Sequence, residues 1–209
     1  MIGGTRVIYE GGKKEASITV RNPDDVPYLI QSWLEPNDNH TIKSDDTKLP
    51  FIVTPPLFRL NADASNALRI VKVDSLPNDR ESVYWLNIKS IPASDPNAQN
   101  ELLISVNSRI KFFYRPPGLM QQNADIAYQK LSFSRKGDLL FAKNPTPFYI
   151  SLNSLIVNQN DISQPGMIAP FDEKSWVISP FKLSPSVMVE WSAINDFGGK
   201  TMFEKQKIN

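Results

Sequence analysis

The sequence has 209 residues, with 23 Lys and Arg, 22 Asp and Glu, one histidine and no cysteine, so its formal net charge is +1. A chain this close to neutral lacks the field that would favour nucleic acid or an anionic membrane as its main partner. It cannot form disulfides or thiolate metal sites, and it has no apolar run of the ~18 residues that a membrane-spanning helix needs. The 17 prolines, with many β-branched and aromatic residues, favour short strands and fixed turns, and therefore an all-β protein.

The first half of the sequence predicts short strands separated by turns that contain Gly or Pro. In chain order, the predicted strands are 5–9, 16–20, 28–34, 51–53, 57–60, 67–73 and 83–88. Apolar and polar residues alternate in most of them, which is typical of a strand with one buried face. Residues 54–56, with the sequence TPP, interrupt the pairing because proline has no N–H to donate.

Segment 101–116, ELLISVNSRIKFFYRP, is the most informative part of the chain. Its even positions, from Leu102 to Tyr114, are nearly all apolar, whereas its odd positions include Arg109, Lys111 and Arg115. This period of two predicts one strand over the whole segment, longer than the usual ~5–6 residues. Two interpretations stay open. Either the segment is one long core strand that leads into a second domain, or part of it serves something other than the local core.

The pattern of short strands restarts after Pro116, and we place a domain boundary there. The later predicted strands are 130–134, 139–142, 148–155, 175–178 and 187–194. An Asn-Pro turn followed by an aromatic residue occurs in both halves, at Asn22 and at Asn144. With roughly seven short strands on each side, the sequence predicts two immunoglobulin-like β-sandwich domains, 1–116 and 117–209.

The sequence offers little for catalysis. Its histidine, His40, lies in a polar loop, where a solvated imidazole is the ordinary interpretation. Asp38, Asp45 and Asp46 lack the spacing of a calcium-binding loop, and no nucleophile elbow, zinc-binding helix or phosphate-binding glycine loop is present. We therefore expect neither an enzyme nor a bound metal or cofactor.

Several short motifs follow one another along the chain. They are TRV at 5–7, TPP at 54–56, DRES at 79–82, RIK at 109–111, FYRP at 113–116, NPTP at 144–147 and INDFGG at 194–199. In this order they cover essentially the whole chain, and the sequence resembles the periplasmic pilus chaperones of the chaperone–usher pathway. The resemblance implies two immunoglobulin-like domains set in an L. It also implies a non-enzymatic protein that binds, folds and caps pilus subunits and delivers them to an outer-membrane usher.

Segment 1–5 lacks the basic and apolar regions of a signal peptide. On its own this fits either a cytoplasmic protein or one whose signal peptide has been removed. The resemblance implies the second, and we expect a protein of the periplasm.

The resemblance gives the long segment a function, because these chaperones lend a strand to an incomplete subunit in donor-strand complementation. By that analogy Leu102, Ile104 and Val106 are the donated side chains, and burying each is worth roughly 1.5–3 kcal/mol. Leu103 and Ser105 are on the opposite face, and for these two we expect contact with the protein's own core.

Two groups of charged residues match positions with roles in the family. Arg6 and Lys111 align with the pair that anchors the C-terminal carboxylate of the subunit. Charge-assisted hydrogen bonds of this kind contribute ~1.5–3 kcal/mol each when shielded from water. Glu81, Arg115 and Asp196 match an interdomain network, in which one guanidinium can bridge two carboxylates in a fixed geometry.

The remaining resemblances concern a surface patch and the subclass. A patch used for docking the usher maps onto Leu29, Gln31, Pro55, Pro56, Arg69 and Ile91. The family suggests a cis Thr54–Pro55 bond, which the TPP sequence alone does not require. Because loop 92–100 is short and cysteine is absent, the chain resembles the short-loop members, which mostly serve rod-like, adhesive pili.

Two other functions stay as alternatives. A structural pilin or adhesin would carry a donor extension at its N-terminus, and the start before Thr5 leaves no room for one. A carbohydrate-binding β-sandwich would expose an aromatic cluster or a calcium loop. All four tryptophans fall within strand patterns instead, and we expect Trp33, Trp85, Trp176 and Trp191 to be core residues.

For the chaperone we also expect a self-capping homodimer, because an exposed apolar strip beside an unpaired sheet edge favours self-pairing.

Overall fold

The computed structural model describes residues 1–37, 48–93, 102–178 and 186–208. Over these residues the regular structure is β-strand apart from two short 3-10 segments, Pro117–Leu119 and Ala124–Lys130, which confirms the all-β prediction. The chain divides into two compact units. The first is Met1–Pro77 with Ser82–Pro117, and the second is Asn78–Glu81 with Gly118–Asn209.

Some of the loop predictions fall outside the described residues. They are those for Asp38, His40, Asp45 and Asp46, and most of loop 92–100, so the short-loop subclass stays a prediction. No helix in the described part of the chain is long and apolar enough to cross a membrane.

The first unit is a sandwich of two sheets. Its strands are β1 (Arg6–Glu10), β2 (Ala16–Arg21), β3 (Tyr28–Pro36), β4 (Phe51–Thr54), β5 (Leu57–Leu60), β6 (Ser65–Lys72), β7 (Ser82–Pro92) and β8 (Val106–Arg115). One sheet has the order β1-β8-β7-β3-β5 and the other β2-β6-β4. Every second residue points between the sheets, and Leu68, Ile70, Leu86 and Phe112, each 0% exposed, form the centre of the core.

The prediction of one strand from 101 to 116 is wrong at its beginning. β8 starts at Val106, and residues 102–105 form no strand. Leu103 is 42% exposed and Ser105 is exposed as well, so the expected contact of these two with the protein's own core is also wrong. An apolar period of two marks which side chains share a face, but it does not provide a neighbouring strand to pair with.

The prediction that all four tryptophans are core residues is wrong for Trp33 and Trp85. Both are half-buried and lie on the outer face of their sheet, since the inward residues of β3 are Ile30, Ser32 and Leu34. Trp176 is partly buried against the core of the second unit, and Trp191 is 3% exposed within it.

Between β4 and β5 the chain crosses from the sheet β2-β6-β4 to the sheet β1-β8-β7-β3-β5. The Thr54–Pro55 bond there is cis. Ser32 of β3 holds the crossing in place, because its N–H donates to Pro56 O at 2.8 Å and its hydroxyl donates to Pro55 O at 3.0 Å.

The second unit is again a β-sandwich. Its strands are β9 (Ser132–Lys136), β10 (Leu139–Lys143), β11 (Ile150–Val157), β12 (Asn160–Asp161), β13 (Met167–Ile168), β14 (Glu173–Val177), β15 (Val187–Ala193) and β16 (Glu204–Ile208). One sheet has the order β14-β10-β9, and the other has the order β12-β11-β15-β16 with β13 on β11. β12, β13, β16 and the two 3-10 segments were not predicted from the sequence.

The two Asn-Pro turns noted in the sequence have the same construction. In each, the asparagine Oδ1 accepts from the backbone N–H two residues on, at 3.1 Å for Asn22 and 3.0 Å for Asn144. The Nδ2 of each donates to the carbonyl four residues on, at 2.7 and 2.8 Å. Both side chains are buried, so these bonds replace water that the polar groups have lost.

Candidate functional site

The apolar face of β8 runs from full burial to full exposure. Phe112 is 0% exposed in the core and Ile110 is half-buried, but Val106 is 57% exposed. Before β8, Ile104 and Leu102 are 67% and 83% exposed. We call Leu102, Ile104 and Val106 the apolar strip. Three large apolar side chains exposed in succession are unusual on a monomeric surface and mark a place where another chain can bind.

The strip lies beside an open edge of the sheet. β7 pairs with β8 from Val106 to Tyr114, but β1 pairs with it only from Lys111 to Arg115. The residues before β1 turn to the other sheet, where Gly3 N donates to Thr19 O at 2.9 Å. In the described part of the chain, segment 106–110 therefore has a strand neighbour on one side only. Its other side presents backbone groups to which a further strand can pair.

The interior of the first unit opens beneath the same segment. A cavity of about 490 Å³ lies between the two sheets, with Val106, Ser108 and Ile110 on one side. The core residues Ile30 and Ile88 also line it. Val106 thus belongs both to the apolar strip and to the wall of this opening into the core.

Arg6 and Lys111 lie where the open edge ends. They are directly paired residues on the parallel strands β1 and β8, whose backbones lie about 4.8 Å apart, so their side chains are neighbours on the same outer face. The Arg6 guanidinium carbon lies 5.6 Å from the centre of the Phe113 ring, which favours one orientation of the cation. Both side chains are half-buried. Two cations held together in this way can bind one carboxylate.

Next to this pair lies a group of residues that the sequence did not reveal. Glu35 accepts a hydrogen bond from Trp33 Nε1 at 3.0 Å and lies 3.3 Å from Arg109 Nη2. The Arg109 guanidinium stacks 4.4 Å from the centre of the Trp85 ring. We call these four residues the tryptophan cluster. All four have odd residue numbers, and the core residues of these strands have even ones, so alternation places the four on the face opposite the core. The sequence pattern could have predicted this face once the core residues were assigned.

The residues of the expected interdomain network have different surroundings. Glu81 belongs to the second unit, where its N–H donates to Pro147 O at 2.9 Å and its carboxylate accepts from Tyr149 N at 2.8 Å. Glu81 is 3% exposed and Arg115, at the end of β8, is 8% exposed, whereas Asp196 is half-buried in a turn. The network of all three stays a prediction.

Three of the six residues expected to dock the usher lie on the far side of the same outer face. Leu29 and Ile91 are paired residues on β3 and β7, and Leu29 is 40% exposed. Gln31 lies beside them, opposite Leu57 of β5, which is 55% exposed and was not predicted. Pro55 and Pro56 follow at the crossing held by Ser32. Arg69 lies on the other sheet, paired with Thr54 and in an ion pair with Glu15.

Comparison with protein families assigns the chain along almost its entire length. Residues 1–120 match the family described as pili and flagellar-assembly chaperone, PapD N-terminal domain, and residues 126–205 match pili assembly chaperone PapD, C-terminal domain. The chaperone protein LpfB of Salmonella typhimurium is 40% identical over 213 residues, which cover 100% of this chain and 88% of the relative. The probable fimbrial chaperone LpfB of Escherichia coli O157:H7 is 41% identical over 201 residues, which cover 94% and 83%.

Solved structures agree. The Salmonella enterica SafA pilin in complex with the SafB chaperone matches with a TM-score of 0.85 and 35% identity, over 99% of this chain and 94% of the matched one. The periplasmic chaperone SfaE matches with a TM-score of 0.74 and 32% identity, over 100% and 98%. With both halves matched and two relatives 40% and 41% identical over 88% and 83% of their own length, the chain belongs to the PapD family of pilus-assembly chaperones of the chaperone–usher pathway.

Proposed function

We propose that this chaperone holds pilus subunits by donor-strand complementation, with the apolar strip filling a gap in the subunit and Arg6 and Lys111 binding its C-terminal carboxylate. The observation that carries this proposal is the apolar strip itself, which lies beside an unpaired strand edge that ends at two cations. Adding a strand to an exposed sheet edge is a recurrent form of peptide recognition. SafB, a chain of the same fold, is known in complex with a pilin.

The direction of the bound strand follows from the pairing of β1. β1 runs parallel to β8 and begins at Arg6, beside Lys111. A subunit strand that takes the open edge of 106–110 in the same direction would run toward Arg6 and end there. Its terminal carboxylate would then lie between Arg6 and Lys111, and the anchor would fix the register of the strand along β8.

The two parts of the site contribute differently to binding. Each strip residue buried in the subunit adds roughly 1.5–3 kcal/mol, but apolar contact is non-directional and tolerates a shift along the strand. The anchor adds ~1.5–3 kcal/mol for each charge-assisted hydrogen bond and requires one position of the carboxylate. The strip therefore supplies much of the affinity and the anchor supplies the register.

A site built in this way is a liability when no subunit is bound. An apolar strip beside an open edge favours pairing with a second copy of the chain. The free protein accordingly forms a self-capping homodimer that hides both strips and dissociates before a subunit binds.

The location and the second partner follow from the family. Homologous pilus chaperones such as SfaE are periplasmic, and this chain works in the same compartment. It delivers its subunits to the outer-membrane usher through the exposed patch around Leu29, Gln31 and Ile91, together with Pro55 and Pro56. Arg69, which lies on the other sheet, extends that patch around the edge at Thr54.

The test is capture of pilin subunits in the periplasm. Wild-type protein and Lys111→Ala are co-expressed with candidate pilins and purified, and the bound subunit is quantified. Loss of the anchor should lower affinity by about 10- to 150-fold, because one or more shielded charge-assisted bonds are lost. Lys89→Ala, a half-buried lysine on the same outer face, is the matched control and should capture normally. Undiminished capture by folded Lys111→Ala would contradict the anchor.

A further inference from the structure

Arg109 precedes Lys111 by two residues and lies on the same outer face of β8. Two residues along a strand span about 6.6 Å. Arg109 is therefore the nearest residue to Lys111 on this face of β8 in the direction of the open edge. On its other side it reaches Glu35, and the Arg109 and Glu35 side chains are 46% and 41% exposed. Arg109 is therefore placed between the open edge and an internal carboxylate.

The contact between Arg109 and Glu35 is a weak one. It is a single contact at 3.3 Å between two side chains that are almost half exposed. Ion pairs of this kind contribute little because water and salt screen them. A carboxylate brought to Arg109 by a bound chain, which also excludes water, forms a stronger contact than the one it replaces.

The neighbouring Asn87 has a buried donor that a rearranged Glu35 would satisfy. Asn87 is paired with Arg109 across the strands and is 1% exposed. Its Oδ1 accepts from Asn107 Nδ2 at 3.2 Å, but its own Nδ2 finds no acceptor among the described residues. Arginine cannot supply an acceptor, whereas a carboxylate can. Glu35 lies diagonally across from Asn87, a separation that a long side chain can bridge.

We propose that Arg109 is a second carboxylate-binding residue for the captured subunit and that Glu35 occupies it in the free protein. The inference rests on the proposed function, since it requires a subunit strand along the open edge that ends at Arg6 and Lys111. Arg109 turns from Glu35 to an acidic side chain within the last three residues of that strand. Glu35 keeps its bond to Trp33 Nε1 and becomes the acceptor for Asn87 Nδ2. The chaperone thereby prefers subunits with an acidic residue close to the C-terminus.

The test uses four synthetic octapeptides of alternating Thr and Val. They carry Glu or Gln at the third position from the end, and each version ends either in a free carboxylate or in an amide. Affinities for the full-length chaperone are measured by NMR titration, which also follows the indole N–H signals of Trp33 and Trp85. The variants are Arg109→Gln and Glu35→Gln, and the matched control is Lys89→Gln on the same face.

The free-acid Glu peptide should bind wild type about two- to fivefold more tightly than the free-acid Gln peptide. This preference should disappear in Arg109→Gln, persist in Lys89→Gln and increase in Glu35→Gln, where the internal competitor is gone. The Trp33 indole signal should shift with the Glu peptide only, because it reports on Glu35.

Failure of this inference and failure of the proposed function have different signatures. Equal binding of the Glu and Gln peptides by wild type and by Glu35→Gln, with free acids still preferred over amides, overturns the role of Arg109 alone. Equal binding of acids and amides, or no binding by any of the four, contradicts the carboxylate anchor and with it both proposals.

Discussion

β8 and β16, the last strands of the two units, both have an open side, but the side chains they expose there differ. β16 lies at the edge of its sheet, and its exposed residues are Lys205 and Lys207. Charged residues on an edge strand, lysine above all, discourage pairing with another chain. The side chain of Gln206 exchanges two hydrogen bonds with the backbone of Phe133 in β9, at 2.9 and 3.1 Å, so β9 covers part of this edge.

β8 is also open on one side, over residues 106–110, yet it carries Val106 there and is preceded by Ile104 and Leu102. The edge at β16, which β9 partly covers, is charged, whereas the open edge at β8 is apolar. The charged edge has the composition that discourages pairing with another chain, whereas the apolar edge has the composition that favours it, as the proposed function requires.

The largest change in stability should come from the buried end of the apolar face of β8, and the exposed end should contribute almost nothing. Phe112→Ala removes a ring that is 0% exposed and should lower the free energy of unfolding by about 3–5 kcal/mol. Leu102→Ala, at a side chain that is 83% exposed, should change it by less than about 0.5 kcal/mol. Denaturant unfolding of both variants measures the difference. Similar losses would mean that Leu102 belongs to the core of its own unit.

A smaller loss of stability should follow from removing the contact between β16 and β9. Gln206→Ala leaves the N–H and carbonyl of Phe133 without their partners and should cost about 1–2 kcal/mol of unfolding free energy. The control is Gln129→Ala, which removes a single exposed hydrogen bond to Glu204 and should be nearly neutral. If denaturation cannot distinguish the two variants, β9 does not stabilise this edge.

The smallest change in stability should accompany the largest change in association. Replacing both Lys205 and Lys207 by valine alters only exposed side chains and should shift the unfolding free energy by less than about 0.5 kcal/mol. It also gives β16 an apolar edge, so sedimentation should reveal concentration-dependent self-association that is absent in Lys143→Val, a control on the central strand of the other sheet. A double variant with unchanged sedimentation would show that charge is not what keeps β16 unpaired.

Much of the fold could be read from the sequence, because each strand of a sandwich buries one face and alternation reports that directly. β16 escaped notice since only Ile208 of its five residues is buried, and EKQKI shows no apolar period. Trp33 and Trp85 were assigned to the core from residue type, yet their positions in β3 and β7 place them on the outer face. There the rings pack around a charged pair, an arrangement that no local pattern predicts.

The site was predictable in part. Alternation singled out Leu102, Ile104 and Val106, but the same period describes side chains that enter the protein's own core and side chains that enter a partner's. Only the exposures along β8 and the end of its pairing with β1 tell the two apart. The pairing of Arg6 with Lys111 joins residues far apart in sequence, and resemblance to the family, not any local pattern, suggested it.

The central claim is that the apolar strip belongs to the core of the subunit and not to the chaperone, and Ile104→Asp tests it most directly. The melting temperature and the affinity for a captured pilin are measured on the same preparation. We expect an unchanged melting temperature, because Ile104 is 67% exposed, together with loss of pilin binding and a weaker self-capping dimer. If Ile104 instead lies in the core of the first unit, the variant buries an unpaired charge and its melting temperature collapses, which would contradict the account.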